Sequence, residues 1–170
     1  MPTPSDSQNA PPAAPFDRHR ETVRPEWIDY NGHMNVAFYV LVFDHASDAF
    51  LESVGLGPAY TAGGEASVFA AEAHITYDRE VVEGAPLAVA TQLLGADEKR
   101  LHLFHTMRHA EEGYLAATTE VMLLHVDMTV RRVAPWPTAI RARLDPVVAA
   151  HAALDRPARA GRAVGLAPRR

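Results

Sequence analysis

Residues 27–39 of the chain read WIDYNGHMNVAFY, and this stretch decides where the central helix of the fold begins. Asn31-Gly32 is one of the strongest turn dipeptides, and Asn35 is a residue type that commonly caps a helix N-terminus. We therefore predict a turn here and a helix that starts near Val36. The first backbone N–H groups of a helix have no partner inside it, so they can bind an anion or a developing oxyanion.

The apolar residues that follow recur with the period of an α-helix as far as Val54, where Gly55, Gly57 and Pro58 end the pattern. A helix of this length spans about 28 Å at 1.5 Å per residue, and it needs a sheet to cover its apolar stripe. The stripe is predicted to comprise Val36, Tyr39, Val40, Phe43, Ala46, Ser47, Phe50 and Val54.

Five segments are predicted to be strands. The first, 18–24, is polar, and the Pro25 that follows it is typical of an edge strand. The other four are bounded by short polar or Gly-containing turns, and they are residues 66–78, 85–95, 100–109 and 114–127. A second helix is predicted over 138–151. The fold class is therefore α+β, with a long central helix wrapped by an antiparallel sheet of five or six strands.

Some of these strands are apolar on both faces, which predicts self-association. In the third strand, Leu87 and Val89 point to one face while Ala88 and Ala90 point to the other. A single helix covers only one face of a sheet. We therefore expect a homodimer or homotetramer, in which a second copy covers remaining apolar surface.

The composition limits the classes of function. The 170 residues carry a net charge of -5 and contain no cysteine. The acidic balance argues against a nucleic-acid partner, and no apolar run has the length of a membrane span. The lack of cysteine excludes disulfides and thiolate chemistry. The N-terminus does not have the pattern of a signal peptide, so we expect a cytoplasmic protein.

The two ends of the chain differ in composition from the middle. Residues 1–15 are rich in Pro, Ala, Ser and Asn, and residues 153–170 are rich in Arg, Pro and Gly. Neither end has a periodic apolar pattern, so both are predicted to be flexible tails on a single domain, 16–152. The basic C-terminal tail could contact a phosphate, although solvated charge is the simpler interpretation.

The residues before the helix also suggest a chemistry. Asp29 supplies a carboxylate beside the backbone donors of a helix start, an arrangement suited to hydrolysis of an acyl group. The same residues would equally make an ordinary Asx-type turn that only joins a strand to a helix. Both interpretations stay open from residue types alone.

The pattern Asp-x-Asn-Gly-His-Met-Asn, followed after three residues by Tyr39, resembles the signature of hotdog-fold acyl-CoA thioesterases of the 4-hydroxybenzoyl-CoA type. In that family an Asp-x-x-Gly turn precedes the central helix, and Asp29 and Gly32 match it. Together with AEAHITYDRE and MLLHVD, the stretch is similar to a branch that includes betainyl-CoA thioesterases and thioesterase domains fused to carnitine dehydrogenases. The resemblance covers about residues 16–140.

This resemblance implies a hotdog fold and hydrolysis of an acyl-CoA thioester, with no cofactor and with coenzyme A entering as part of the substrate. Asp29 would either attack the thioester to give a mixed anhydride or act as a general base toward water. The oxyanion donor is expected to be the backbone N–H at about Val36. Asn31 and His33 are candidates for orienting water, holding Asp29 or contacting the substrate carbonyl.

Aromatic residues surround the motif, namely Trp27, Tyr30, Phe38 and Tyr39. If the acyl group carries a trimethylammonium, as betaine does, such side chains could bind it through cation–π contacts. Ordinary core packing is the alternative for each of them.

Charged candidates lie further along the chain. Glu72 could complete the site or lie on a solvated face of its strand. Lys99 and Arg100, at the turn before the fourth strand, match positions where related hotdog enzymes place residues for the phosphates of coenzyme A, and Arg79 and Arg108 are further possibilities. Each of these basic residues could also be a plain solvated charge.

No metal site is expected. His102, His105 and His109 have a spacing that would converge on a helix, but their segment is predicted to be a strand. On a strand His102 faces away from the other two.

Two other functions agree with the same motif. One is a non-catalytic hotdog module that binds acyl-CoA, and the other is a hotdog dehydratase or hydratase that acts on acyl thioesters. Release of a free thiol separates the hydrolase from both.

Overall fold

The central helix begins where the sequence predicts. In the computed structural model, which describes residues 13–166, helix α1 spans Val36–Ser53 and Asn35 occupies its N-cap. The side-chain oxygen of Asn35 accepts a hydrogen bond of 3.0 Å from the backbone N–H of Ala37. This bond satisfies one of the backbone donors that the helix itself leaves without a partner.

Antiparallel strands form one curled sheet against this helix. The strands are β1 (Phe16–Thr22), β2 (Ala66–Tyr77), β3 (Pro86–Ala96), β4 (Arg100–His109), β5 (Leu115–Asp127) and β6 (Arg132–Val133). Their order is β1-β3-β4-β5-β2, with β6 paired to β5. The remaining helices are α2 (Pro58–Thr61), α3 (Thr138–Ala152) and a 3-10 turn at Pro25–Trp27. The predicted α+β fold is confirmed. The elements that the sequence does not predict are too short to carry a periodic pattern.

The buried face of α1 differs from the predicted stripe. Val36 and Val40 are 59% and 48% exposed, whereas Val42 and Leu51, outside the stripe, are buried. Periodicity shows which residues share a helix face, but it does not show how far the sheet extends over that face. The two exposed valines border open clefts in the described structure.

The interior has two apolar clusters along α1. The cluster at the C-terminal half contains Phe50, which meets the ring of Phe16 edge-to-face at 5.8 Å and packs beside Leu144 of α3. The other cluster lies at the N-terminal half and includes Trp27 and Val42. Helix α3 covers the C-terminal half of α1. The uncovered surface of α1 therefore lies at its N-terminal start and along β2.

The described part of the C-terminal segment lies on the sheet. The guanidinium of Arg159 forms a paired salt bridge with the carboxylate of Asp78 and donates to the hydroxyl of Thr76. The N–H of Gly161 donates to the carboxylate of Glu120 at 2.6 Å. A fully solvated tail would lack these contacts. The division into a single domain with two flexible tails stays a prediction. Residues 1–12 and 167–170 lie outside the described residues.

None of the helices in residues 13–166 combines the length and the hydropathy that crossing a lipid bilayer requires.

A buried histidine joins α1 to the sheet. His105 on β4 is fully buried, and its two ring nitrogens lie 3.0 Å from the hydroxyl of Ser47 and 2.9 Å from the hydroxyl of Thr91. Burial, and then the nearby charge of His19, lowers the pKa of His105 from 6.5 to about 3. The imidazole is therefore neutral in the folded protein at neutral pH.

This shift predicts a loss of stability in mild acid. Below pH 6.5 the unfolded chain gains a proton at His105 that the folded chain does not take up until about pH 3. Lowering the pH through that window therefore favours unfolding. We expect His105 to remove about 1–2 kcal/mol of unfolding free energy between pH 6.5 and 5. Urea unfolding across this range measures it.

The matched variants are His105→Gln, which retains hydrogen-bonding groups but does not titrate, and His74→Gln at a half-buried strand position. The first should flatten the dependence on pH and the second should not. An equal pH dependence in wild type and His105→Gln would contradict the assignment.

Candidate active site

The turn before α1 is closed by backbone hydrogen bonds. The N–H of Asp29 donates to the carbonyl of His33, and the N–H of Gly32 donates to the carbonyl of Asp29, both at 3.0 Å. Gly32 has a φ of +81°, a conformation that side chains with a Cβ rarely adopt. This geometry is a three-residue loop with glycine in the left-handed position, which is a common way to reverse a chain.

The Asp29 side chain is fixed within this turn. Its Oδ1 accepts a hydrogen bond of 2.8 Å from the backbone N–H of Asn31. The other carboxylate oxygen has no hydrogen-bond partner among residues 13–166. Asp29 borders an open cleft of about 340 Å³. One oxygen is therefore held while the other is available to a molecule in the cleft.

The start of α1 borders the same cleft. Val36 and His33 line it together with Asp29. Within the described chain the backbone N–H of Val36 donates to no other group, since Asn35 accepts from Ala37 and Phe38 instead. A residue with a carboxylate and a residue with a free N–H at a helix start therefore border one space, which suits attack on a carbonyl and stabilisation of the oxygen that becomes negative.

Two tyrosines form an aromatic wall of the cleft. The rings of Tyr39 and Tyr77 meet edge-to-face with centroids 5.3 Å apart, and both residues line the cleft. Burial raises the pKa of Tyr39, while a hydrogen bond from the Val81 backbone acts in the opposite direction. Both hydroxyls remain protonated at neutral pH.

The other predicted aromatic residues lie elsewhere. Trp27 is 3% exposed and belongs to the core, where Phe38 stacks on it at 5.3 Å. Tyr30 is 96% exposed at the tip of the turn. Of the four aromatic candidates, only Tyr39 lines the cleft, although it is itself 4% exposed and belongs to the same apolar cluster as Trp27.

The last residue of β2 and the segment after it supply cleft residues that the sequence pattern does not assign to this site. Tyr77, Asp78 and Glu80 line the cleft, as does Arg79, which was considered only for phosphate binding. The guanidinium carbon of Arg79 lies 3.9 Å from the ring centroid of Tyr114. These residues belong to the quoted segment AEAHITYDRE, but only the sheet brings its end beside Asp29.

Glu72 and Asn31 are not among the residues that line the cleft. Register places Ala70 opposite Leu123 and Glu72 opposite Met122, so Ala71 is an extra residue in a β-bulge. The bulge brings Glu72 onto the face shared by Phe69, whereas regular alternation predicts opposite faces. Glu72 therefore faces an outer-surface pocket that it shares with His102.

Lys99 and Arg100 also lie away from the cleft within one chain. Arg100 is bound to Asp97 through its Nε at 2.7 Å, and the Lys99 ammonium lies 3.6 Å from Glu98. Hydrogen bonds from the Lys99 backbone and the Arg100 side chain lower the pKa of Asp97. Along β4 these residues are about 23 Å from Met107, at the cleft end of the sheet.

The predicted strand arrangement of the three histidines on β4 is confirmed. The ring of His102 donates to the carboxylate of Glu120 at 2.6 Å on the outer face, whereas His105 is buried in the interior and the His109 ring accepts from the Glu111 and Glu112 backbones. The three rings do not converge.

A long helix on a curled antiparallel sheet, with a carboxylate and a free backbone donor at the helix start, is the architecture of a hotdog-fold thioester hydrolase. The chain belongs to the Thioesterase-like superfamily, whose family model matches residues 23–144. The predicted fold and the predicted enzyme class are therefore confirmed.

Similar proteins carry a more specific name. The chain is 44% identical over 146 residues to a betainyl-CoA thioesterase of Pseudomonas aeruginosa, a match that covers 86% of this chain and 92% of that protein. It is 41% identical to an L-carnitine dehydrogenase/betainyl-CoA thioesterase of Rhizobium meliloti over 84% of this chain. That match spans only 29% of the fused protein.

Solved structures share the fold. A Staphylococcus aureus hypothetical protein in complex with CoA has a TM-score of 0.83 at 30% identity, covering 94% of this chain and 99% of its own. A candidate thioesterase from Pseudomonas putida has a TM-score of 0.77 at 37% identity, covering 91% and 98%.

The N-cap provides a test of the helix start. We expect Asn35→Ala to lower the free energy of unfolding by about 1 kcal/mol, because the N–H of Ala37 loses its acceptor. Asn35→Ser retains a capping oxygen and should cost less. Thermal unfolding of the two variants side by side measures the difference. Equal stability of Asn35→Ala and wild type would show that the cap does not hold α1.

Proposed function

We propose that the chain hydrolyses betainyl-CoA to betaine and coenzyme A, with Asp29 as the reacting carboxylate. The observation that carries this proposal is one cleft lined by Asp29, Val36, Tyr39 and Tyr77, at a helix start whose Val36 backbone N–H has no acceptor in the described chain. The relatives named as betainyl-CoA thioesterases support the choice of acyl group. A cytoplasmic location stays a prediction.

The chemistry needs a nucleophile and an oxyanion donor on one carbonyl. As a general base, Asp29 takes a proton from water, whose oxygen bonds to the thioester carbon. As a nucleophile, it bonds to that carbon itself and water later opens the mixed anhydride. In both cases the carbonyl oxygen becomes negative and accepts from the Val36 N–H. Collapse then breaks the carbon–sulfur bond, and the thiolate leaves and takes a proton.

The other motif residues have supporting roles in this proposal. The backbone N–H of Asn31 donates to one oxygen of Asp29 at 2.8 Å, so the side chain of Asn31 is not needed to hold Asp29. His33 lines the cleft and is the candidate for orienting water. Together they would keep the free oxygen of Asp29 aimed at the carbonyl carbon.

The trimethylammonium of betaine suits the wall of the cleft. Tyr77 is 50% exposed at the cleft, Tyr39 borders it with only 4% of its surface exposed, and Asp78 and Glu80 add carboxylates nearby. Tyrosine rings attract a desolvated quaternary ammonium by about 0.5–2 kcal/mol. Asp78 is already paired with Arg159, so Glu80 is the carboxylate that adds negative potential for the cation.

Arg79 is the basic group proposed for coenzyme A. Its guanidinium is largely exposed at the cleft rim and lies over Tyr114. A phosphate of the substrate could pair with it without disturbing that stack. Lys99 and Arg100 could contact the phosphates of coenzyme A only in a site to which another subunit contributes.

A homodimer formed along the edge strand β2 is the proposed assembly. Residues 69–73 of β2 are exposed at the end of the sheet order, and a small open apolar groove of about 90 Å³ separates this strand from α1. Val40, Phe43 and Val121 line that groove. A long exposed edge strand beside apolar surface is a ready surface for pairing with a second copy.

Asp29→Asn tests the central role. We expect kcat for thiol release to fall at least about 100-fold, because an amide neither accepts a proton from water nor attacks the thioester. Stability should be nearly unchanged, since the amide oxygen can still accept from Asn31. A thiol-trapping dye measures turnover and thermal unfolding measures stability.

Glu26→Gln is the matched control, because it changes another carboxyl group to an amide three residues earlier at an exposed position. It should retain wild-type turnover. Activity retained by Asp29→Asn would remove Asp29 from the mechanism. Tight acyl-CoA binding without thiol release by wild type would instead support the non-catalytic module.

The substrate test compares betainyl-CoA with an analogue that has carbon in place of the ammonium nitrogen, and with acetyl-CoA and benzoyl-CoA. We expect kcat/KM to be highest for betainyl-CoA. Tyr77→Leu should lower kcat/KM for betainyl-CoA about 2- to 30-fold and leave the uncharged analogue less affected. Equal rates on the charged and uncharged acyl groups would reject the proposed ammonium site.

The assembly test uses Ala71→Pro. Ala71 is the bulge residue without a partner on β5, so proline there should spare the ladder within the chain but block pairing along the free edge. Light scattering should give a dimer for wild type and a monomer for the variant. A dimer in both would place the interface elsewhere.

A further inference from the structure

Three potential metal ligands meet between β1 and α1, away from the catalytic cleft. The Oε2 atom of Glu21 lies 3.3 Å from Nε2 of His19 and 3.0 Å from Nδ1 of His45. All three ligand atoms lie within 4.8 Å of one another. The side chains of His19 and Glu21 are only 14% and 11% exposed, and His45 is 38% exposed.

The backbone holds this arrangement. His19 and Glu21 are two residues apart on β1, so both side chains point toward the same face of the sheet. A register shift between Phe16 and His19 allows Phe16 to face the core as well. Helix α1 then supplies His45 from the opposite layer. The site consists of two residues on one strand and one on a helix, so it forms when the helix packs on the sheet.

The distances match those of zinc ligands. Bonds of about 2.0–2.1 Å in tetrahedral geometry separate neighbouring ligand atoms by about 3.3–3.4 Å. The observed distances of 3.0 and 3.3 Å from Glu21 to the two imidazoles are close to that value. Two histidines and one glutamate form a known ligand set for zinc, with the fourth position open to water.

We propose that His19, Glu21 and His45 form a binding site for a divalent transition-metal ion, with Zn²⁺ as the best-suited ion. The site is distinct from the cleft of Asp29. His45 lies nine residues after Val36, so about 14 Å of helix separates the two. The bound ion would fasten the edge strand β1 to the central helix and would take no part in thioester hydrolysis.

The charges around the site are mixed. Arg24 approaches the other oxygen of Glu21 at 3.7 Å, which leaves Oε2 directed at the two imidazoles. Asp44 and Asp48 lie on α1 on either side of His45. Their two carboxylates add negative charge near His45, which offsets the positive charge of Arg24.

The alternative is a Glu21 carboxylate that accepts hydrogen bonds from two imidazole N–H groups without any ion. Both arrangements use the same three side chains, so the ion itself must be measured. The test is Zn²⁺ titration of the full chain by calorimetry after treatment with a chelator, together with the absorption spectrum on addition of Co²⁺. We expect one ion per chain, a raised Tm and the visible bands of tetrahedral Co²⁺.

The variants are His45→Gln and His19→Gln. Each should weaken Zn²⁺ binding by about 100-fold or more, because even loss of an outer partner of a metal ligand costs about 10- to 100-fold. The matched control is His74→Gln, a half-buried histidine on another strand, which should bind Zn²⁺ as wild type does. His45 lies on the helix surface, so its variant stays informative if the β1 variant does not fold.

Failure of wild type to bind Zn²⁺ at micromolar concentration would overturn the proposal, and so would equal binding by wild type and His45→Gln. Thiol release should be unchanged by saturating Zn²⁺ or by His45→Gln. The outcome is therefore independent of whether Asp29 catalyses hydrolysis.

Discussion

The burial of α1 against the inner face of the sheet is the interaction on which the site depends. Phe43, Ala46 and Phe50 are nearly inaccessible to solvent, and this packing fixes the axis of the helix. With the axis fixed, the first turn of α1 extends beyond the part of the helix that the sheet covers. Exposed Val36 marks that point, and the free backbone donor of a helix start then becomes part of a cleft rather than part of the core.

The two halves of α1 have different surroundings: packing closes one half, and the other half borders an open cleft. Around the C-terminal half of α1, α3 and β1 close the core, and His105 lies in a buried hydrogen-bond network with Ser47 and Thr91. Around the N-terminal half, the turn of Asp29 and the end of β2 leave an open cleft. A catalytic carboxylate must meet its substrate, so the reacting groups lie where packing ends and are held by backbone hydrogen bonds instead.

Most of the fold could be predicted from local pattern. The start of α1 follows from Asn35, and all five predicted strand segments match the observed strands to within two residues at either end, because alternation and turn residues are local properties. The motif around Asp29 was also recognisable. The bulge at Ala71 was not, because an extra residue in a strand leaves no mark on composition, and it placed Glu72 on the same face as Phe69.

The sequence by itself determined the elements, the N-cap and the motif that carries Asp29, since these depend on neighbours within a few residues. Only the tertiary structure decided which residues meet. It buried Trp27, exposed Tyr30, and brought Tyr77 beside Tyr39, although the last two are 38 positions apart in the chain. It likewise placed the ring of His45 3.0 Å from the carboxylate of Glu21. Such contacts depend on strand register and on the rotation of α1 over the sheet, and both are set by packing of the whole core.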